Sequence, residues 1–319
     1  MDRKIIQAIM TSPRAPFALI GEVVEASEQT VARRYRRLLS DRLVKVIGLA
    51  RPQSAGYERW ILRISCRPAA SATLAEALAR RVDVSWVSIS AGGSEVICTT
   101  RTRSDVDNHD LLLERLPRTA EVQTLSAYAI LHHFDPSAEW RGFEPALTRH
   151  QIGLLDKQNP DPNDQVEITD ADAALLAGLA RDGRISLARL AEETGWSPAR
   201  VGRRIDQLTA AGAIYFDVDL AMERLGFSSM SNLWLTVPPG ELDAVGRALV
   251  QHDEVAFCAA VTGTANLTAA VVCRNQAALY RYVSSRVGAI PAVRAVEISP
   301  LLRRVKQAGS LLTGAGIAP

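Results

Sequence analysis

Residues 172–214 read DAALLAGLARDGRISLARLAEETGWSPARVGRRIDQLTAAGAI, and this stretch decides the fold. From Asp172 to Arg181, Leu175, Leu176 and Leu179 recur at helical spacing until Asp182-Gly183-Arg184 breaks the pattern. Ser186 can cap a second helix carrying Leu187, Leu190 and Ala191, and Gly195 ends it. A third helix begins at Ser197 with Pro198 at its first position, where a missing N–H costs nothing; its apolar stripe is Val201, Ile205 and Leu208. The interval Glu193-Thr194-Gly195-Trp196-Ser197 is the short, glycine-bearing turn of a helix-turn-helix.

The same register stands 170 positions earlier. Asp2, Ile5, Ile6, Ile9, Phe17, Val31, Tyr35 and Leu38 occupy the places of Asp172, Leu175, Leu176, Leu179, Leu187, Val201, Ile205 and Leu208, and Arg33 and Arg34 those of Arg203 and Arg204. In this copy Ser27 caps the third helix, Ala26 replaces the turn glycine, and Pro13 and Pro16 interrupt the first inter-helix segment. Later the offset becomes 171, pairing Val84 with Val255, Gly92 with Gly263 and Val122 with Val293. A period this long means a duplicated domain pair rather than a solenoid.

After each third helix comes a β-prone ribbon, Leu43 to Ile47 and Ala213 to Val218, and then the pattern strand, helix, strand, strand, helix, strand. In the first copy Trp60, Leu62, Ile64 and Cys66 alternate along a strand; Leu74, Leu78 and Val82 form a helical stripe; residues 84–90 and 96–100 flank Gly92-Gly93-Ser94; residues 111–116 read as helix and 122–132 as the last strand. The second copy repeats this with strands over 233–237, 255–261, 267–273 and from Val293, around Gly263-Thr264-Ala265. Such a βαββαβ unit is ferredoxin-like, with helices on one sheet face and a bare opposite face that needs a partner. The predicted fold class is α+β, two repeats of winged helix-turn-helix plus ferredoxin-like domain. Its divisions are residues 1–48, 49–134, a linker with a short helix over 135–168, 169–218 and 219–308.

Composition agrees with a globular chain: 319 residues, 47% hydrophobic and 23% charged. No apolar run is long enough for a membrane span and the first residues do not resemble a secretory signal, so a cytoplasmic location and no membrane partner are expected. Residues 1–150 carry 21 basic against 17 acidic side chains, the remainder 16 against 18, so local clustering must reveal any nucleic-acid face. Cys66, Cys98, Cys258 and Cys273 stand singly in apolar stretches, as buried reduced thiols do. His132 and His133 are neighbours on a predicted strand and point to opposite faces, so no metal site is expected. The sequence contains no phosphate loop, dinucleotide glycine run, nucleophile elbow or catalytic carboxylate pair, and the chain is read as cofactor-free and not an enzyme.

A helix-turn-helix followed by a βαββαβ domain resembles the Lrp/AsnC (feast/famine) transcriptional regulators, here in a tandem-duplicated form. The resemblance is carried by Asp182-Gly183-Arg184-Ile185-Ser186, Leu190-Ala191, Trp196-Ser197-Pro198, Ala211-Gly212-Ala213-Ile214, Leu225-Gly226-Phe227 and Gly263-Thr264-Ala265-Asn266. It implies a third helix that enters the DNA major groove, and a sensor (RAM) domain that pairs sheet to sheet and binds a small effector, commonly an amino acid. The expected partners are double-stranded DNA, that effector, the other sensor domain of the same chain and further copies in a homo-oligomer.

On the first third helix Ser27, Gln29 and Thr30 lie in the leading turn, which reaches base edges in such docking, and Arg33, Arg34 and Arg37 on the flank that meets phosphates. The second offers Ser197, Ala199, Arg200, Arg203 and Arg204, but has Asp206 and Gln207 where the first has Arg36 and Arg37. For the effector, Gly92, Gly93 and Glu95 stand at the sheet turn equivalent to Gly263, Thr264 and Asn266; glycine lets backbone N–H groups approach a carboxylate, and Glu95 can receive an amino group. Two other readings stay open: an enzyme similar to the fused Lrp-like sirohaem decarboxylases, and a sensor or assembly protein whose first reading head has decayed.

Overall fold

The structure is a computed structural model describing residues 1–51, 57–103, 116, 118–134, 146–156, 166–307, 310–313 and 316–317. In chain order the first half contains α1 (Asp2–Thr11), α2 (Phe17–Val24), α3 (Glu28–Ser40), β1 (Val44–Ala50), β2 (Tyr57–Cys66), α4 (Ser71–Ala79), β3 (Val84–Ser90), β4 (Glu95–Arg103) and β5 (Val122–Phe134). Then follow α5 (Arg149–Asp156), α6 (Ala173–Arg181), α7 (Leu187–Thr194), α8 (Pro198–Ala210), β6 (Ile214–Leu220), β7 (Ser229–Thr236), α9 (Leu242–Leu249), β8 (Val255–Val261), β9 (Leu267–Cys273), α10 (Gln276–Arg281) and β10 (Ala295–Gln307). Two short strands, β11 (Ser310–Thr313) and β12 (Gly316–Ile317), pair with each other. The fold is α+β. The helix expected over 111–116 falls on residues outside those described, except Leu116, as does most of the expected linker.

Contacts group these elements by kind rather than by copy. One compact unit is Met1–Tyr57, Pro145–Ala221 and Ala308–Pro319; the other is Glu58–Glu144 and Met222–Gln307. The first holds both helix-turn-helix heads, the second both sheet domains.

In the helical unit each head is built on the stripe its sequence announces. Val201, Ile205 and Leu208 of α8 bury with Leu175, Leu179 and Leu190, and Val31, Tyr35 and Leu38 of α3 are likewise buried. The third helices open on serine caps, Ser27 Oγ accepting from Thr30 N at 3.2 Å and Ser197 Oγ from Arg200 N at 3.3 Å. The turn before α8 uses Gly195 at φ 71°, and the turn before α3 closes on Glu25 in the same left-handed conformation, φ 58°. The residue at the turn glycine's place is thus Glu25, not Ala26; a non-glycine residue there holds a strained backbone. The two ribbons pair with each other, β1 against β6 antiparallel from Val44↔Leu220 to Ala50↔Ile214. The first head also carries α5, joined to it where Gln7 Oε1 accepts from Ala146 N and Leu147 N at 2.8 and 3.0 Å and Gln151 Nε2 donates to Val23 O at 2.6 Å.

The sheet unit closes on itself. Its strand order is β10-β3-β4-β2-β5-β8-β9-β7, and β7 pairs back to β10. Closure is possible because each copy's last strand changes partner midway. β5 pairs with β2 through Ala129 and with β8 from Ile130, while β10 pairs with β7 through Pro300 and with β3 from Leu301. Ala129 and Pro300 stand 171 residues apart. At the first switch the Ala129 N–H is taken by Thr262 Oγ1 at 2.9 Å; at the second, proline has no N–H to satisfy. A closed ring exposes no strand edge. Apolar cores fill the helix-bearing faces, Leu62, Ile64, Leu78 and Val87 in the first copy and Leu233, Leu249, Cys258 and Val271 in the second. All four cysteines are buried and unbridged, and burial pushes the Cys98 and Cys258 thiols up to about 12.

One close approach gives a direct test of this packing. A Cβ on Gly246 of α9 would come within 2.3 Å of Phe134 Cζ, a rigid aromatic ring. Gly246→Ala is expected to lower stability by about 1–3 kcal/mol, the usual cost of overpacking; an unchanged urea midpoint would contradict this contact.

Candidate nucleic-acid and effector sites

On α3, Gln29, Arg33, Arg36 and Arg37 are exposed, with Arg37 Nε 3.5 Å from Asp41. On α8, Ala199, Arg200 and Arg203 are exposed, as are Asp206 and Gln207, and the Arg200 guanidinium stacks 4.3 Å from the Trp196 ring. Both heads therefore turn a basic helix face to solvent, more strongly in the first. The hydroxyls of Ser27 and Ser197 are occupied in capping, and Thr30 Oγ1 accepts from Ser27 Oγ at 2.9 Å.

Arg34 and Arg204 are placed otherwise than the sequence suggested. Each reaches back to the carboxylate that opens its own head's first helical segment: Arg34 Nη1 to Asp2 Oδ1 at 2.8 Å, and Arg204 Nε and Nη2 to Asp172 Oδ1 and Oδ2 at 2.8 and 2.6 Å, with a third bond to Glu167 O. Asp172 is 1% exposed. Burial pushes its carboxyl up, but hydrogen bonds from Arg204 and Thr169 outweigh that and hold it below the usual carboxylate range. These arginines brace the third helix against the first instead of projecting free from it.

The two glycine turns differ. Gly92 and Gly93 take φ 67° and 95°, and the β4 residue that follows, Glu95, is 6% exposed. Its Oε1 accepts from Arg63 Nε at 2.7 Å, while Oε2 is buried with no hydrogen-bond partner. Arg63 also donates through Nη1 and Nη2 to Glu297 at 3.1 and 2.5 Å and lies 4.6 Å from the Trp234 ring, whose Nε1 donates to Ser299 Oγ at 3.2 Å. Burial works against the Arg63 charge, but the bonds to Glu297 and Glu95 outweigh it and raise its pKa above the ordinary arginine value. At the second turn Gly263 has φ 104°, Thr264 O accepts from Thr236 Oγ1, and Asn266 is spent on structure: its Oδ1 accepts from Val237 N at 3.0 Å and its Nδ2 donates to Val237 O at 2.7 Å. Asn266 is thus a backbone clamp rather than an open ligand group.

Arg63 escaped notice in the sequence, although a signal was present. It lies on the face of β2 opposite Leu62 and Ile64, the face expected to pack, and 171 residues before Trp234, on which it stacks. A cavity of about 430 Å³, lined by Met230, Leu279, Tyr280, Val283 and Ile298 among others, opens beside α10; none of its lining side chains is charged, and no sequence motif pointed to it.

With this geometry in hand, comparison with known proteins places the chain. The model of the AsnC-type helix-turn-helix domain matches residues 1–39 and again 168–209, and that of the Lrp/AsnC ligand binding domain matches residues 233–311. The HTH-type transcriptional regulator LrpA1 of Halobacterium salinarum is 30% identical over 133 residues, 41% of this chain and 94% of that protein; regulator FL11 of Pyrococcus abyssi is 24% identical over 148 residues, 46% of this chain and 97% of that protein. This chain belongs to the Lrp/AsnC family. Over its whole length the architecture is similar to a solved siroheme decarboxylase, NirDL, with a TM-score of 0.65 and 13% identity over 96% of this chain and 92% of that one.

The last likeness corrects one expectation. The chain was read as not an enzyme because no catalytic motif is present, yet an enzyme is built on this same layout. Motif searching detects chemistry carried by short local signatures; a site assembled from several strands leaves none, and fold and activity are separable. Among the described residues no helix is long and apolar enough to cross a membrane.

Proposed function

We propose that the chain is a sequence-specific DNA-binding transcriptional regulator in which α3 and α8 enter the major groove of two half-sites and the sheet unit senses a small metabolite. The observation that carries this reading is the pair of solvent-facing basic helices in segments that both match the AsnC-type head. Ser27, Gln29 and Thr30, with Ser197 and Ala199, begin the helices whose leading turns meet base edges; Arg33 and Arg37, with Arg200 and Arg203, supply phosphate contacts, and Arg36 joins them; Arg34 and Arg204 hold the helices in place. With Asp206 where α3 has Arg36, the second head grips less tightly, so the operator is an imperfect palindrome.

Because each phosphate contact releases counterions, log affinity falls with log salt. Substituting Arg33, Arg36 and Arg37 together by alanine is expected to reduce that slope by about 3 and Arg203→Ala by about 1, measured by fluorescence anisotropy on a duplex recovered by in vitro selection. Recovery of no preferred duplex, or binding indifferent to salt, would sink the reading.

The effector, an amino acid or related metabolite, is assigned to the first glycine turn. The positive φ of Gly92 and Gly93 suits a turn whose backbone N–H groups can approach a carboxylate, and the unpartnered Glu95 oxygen is the group to receive an ammonium. The second turn, with Gly263, Thr264 and the clamped Asn266, lacks that charge. A second reading, an enzyme acting on a tetrapyrrole, draws on the whole-length likeness to siroheme decarboxylase NirDL. Titration of the purified chain with sirohaem separates the two, since an enzyme of that kind perturbs the absorption bands of the tetrapyrrole and a regulator of amino-acid metabolism leaves them unchanged.

A further inference from the structure

The turn between the first two helices of each head contains an arginine that leaves its own head. Arg14, between α1 and α2, donates through Nη1 to Gly183 O and through Nη2 to Ile185 O at 3.4 Å. Arg184, between α6 and α7, donates through Nη1 to Pro13 O at 2.5 Å and through Nη2 to Ala15 O at 2.7 Å. The donors stand 170 residues apart, and so do the acceptors, Pro13 with Gly183 and Ala15 with Ile185. The pairs are thus reciprocal about the same pseudo-twofold relation that makes β1 pair with β6. Aromatic rings cover both guanidinium groups: Arg184 lies 4.5 Å from Phe17 and 5.3 Å from Tyr35, and Arg14 lies 5.5 Å from Phe216. Gly183 N adds a bond to Val46 O at 2.7 Å, and a Cβ on Gly183 would come within 2.9 Å of the Ile47 backbone.

Bound to carbonyls and stacked on rings, these arginines are not free for phosphate. Burial pulls both below the ordinary arginine value. Each guanidinium spans two carbonyls of the opposite turn, a planar two-point grip that tolerates little sliding or rotation.

We propose that Arg14 and Arg184 form a reciprocal clasp that fixes α3 and α8 in one relative geometry, so that the chain reads two half-sites at a single spacing. They are positioning residues, and the proposal rests on the DNA-reading function given above. An effector then cannot work by altering the distance between the heads; it acts on them as one body.

The test uses the full chain and a selected duplex with its half-site spacing varied. Inserting about 5 bp turns one half-site to the opposite face of the helix. The wild type is expected to lose at least about 10-fold in affinity on that insertion, and Arg14→Ala/Arg184→Ala to flatten the spacing profile to within about 3-fold with the salt slope unchanged, whereas mere loss of stability would weaken all spacings alike. A spacing-tolerant wild type, or a double variant as selective as the wild type, overturns the clasp.

A second readout needs no DNA, so failure of the regulator reading stays distinguishable from failure of this one. Nitroxides at Ser40→Cys and Ala210→Cys, equivalent sites at the ends of α3 and α8, are read by pulsed electron resonance, the four native thiols being buried. One narrow distance distribution is expected, broadening at least twofold in the double variant. Should that variant not fold, Arg14→Lys/Arg184→Lys keeps the charges without the two-point grip and is expected to broaden the distribution as well. An unchanged width in a folded variant overturns the proposal.

Discussion

Arg63→Met is expected to destabilise the protein by about 3 kcal/mol, the lower range for removing one partner of a buried ion pair. Glu95 is 6% exposed and one of its oxygens already lacks a partner, so losing the Arg63 Nε bond strands a carboxylate inside the ring of strands. The contact with Glu297 adds little, because that side chain is 59% exposed and water screens it. The companion change Glu95→Gln removes the stranded charge, so Arg63→Met/Glu95→Gln should recover more than half of the loss in a double-mutant cycle read from urea midpoints. A loss below about 1 kcal/mol in the single variant would show the pair to be no stronger than a surface bridge. The pH dependence follows from Glu297, whose carboxyl is held below its usual range by the bond from Arg63. A depressed folded pKa stabilises above about pH 4.3, the unfolded value, and that contribution fades as pH falls through the lower folded one. Arg63→Met should lack this increment.

The two braces of the heads should differ in strength although their sequences match. Arg204→Ala is expected to cost about 3 kcal/mol because Asp172 is 1% exposed, and Arg34→Ala less than about 1 kcal/mol because Arg34 and Asp2 are 39% and 48% exposed. The Asp172 carboxyl is held below its usual range in the fold, so its contribution is present above about pH 4 and lost as pH falls through the depressed value. Without Arg204, only the Thr169 hydrogen bonds still oppose burial, and the folded pKa rises. The penalty should therefore shrink as pH falls through the depressed folded value, where the carboxyl becomes protonated in both chains. Equal penalties for the two alanine variants, or a penalty for Arg204→Ala that is constant with pH, would contradict the burial assigned to Asp172.

Much of the head was legible because its signals are local. Ser197 and Pro198 cap and start α8 within one turn of chain, and Val201, Ile205 and Leu208 mark its buried stripe by spacing alone. The 170-residue offset then carried the same assignment to α3, but Glu25 shows its limit: the left-handed position was sought in a glycine or in Ala26, and the backbone placed it on a glutamate. The basic faces were legible as composition, yet Arg33 and Arg34 are adjacent in sequence and differ in use. Arg34 is paired with Asp2, a residue 32 positions away whose direction depends on how α1 packs.

The candidate effector turn was recognisable from Gly92, Gly93 and Glu95, while its asymmetry was not. Glu95 and Asn266 are equivalent in sequence; one holds Arg63 and the other clamps Val237, outcomes set by what neighbouring strands present. The clasp had a visible trace, since Arg14 stands 170 residues before Arg184, but the acceptors are backbone carbonyls, which every residue possesses and no sequence distinguishes.

The amino-acid sequence alone determined the kinds of element in both heads and most of those in the sheet domains, because helical and strand periodicity, caps and turns involve residues within a few positions of each other. Only the tertiary structure decided that ribbon pairs with ribbon, that each last strand changes partner at Ala129 or Pro300, and that Arg63, Arg14 and Arg184 are bound inside the molecule. Those outcomes depend on groups far apart in the chain, such as Ile130 with Val261 or Arg63 with Glu297, meeting in the folded interior, where a charge must find a partner or remain outside.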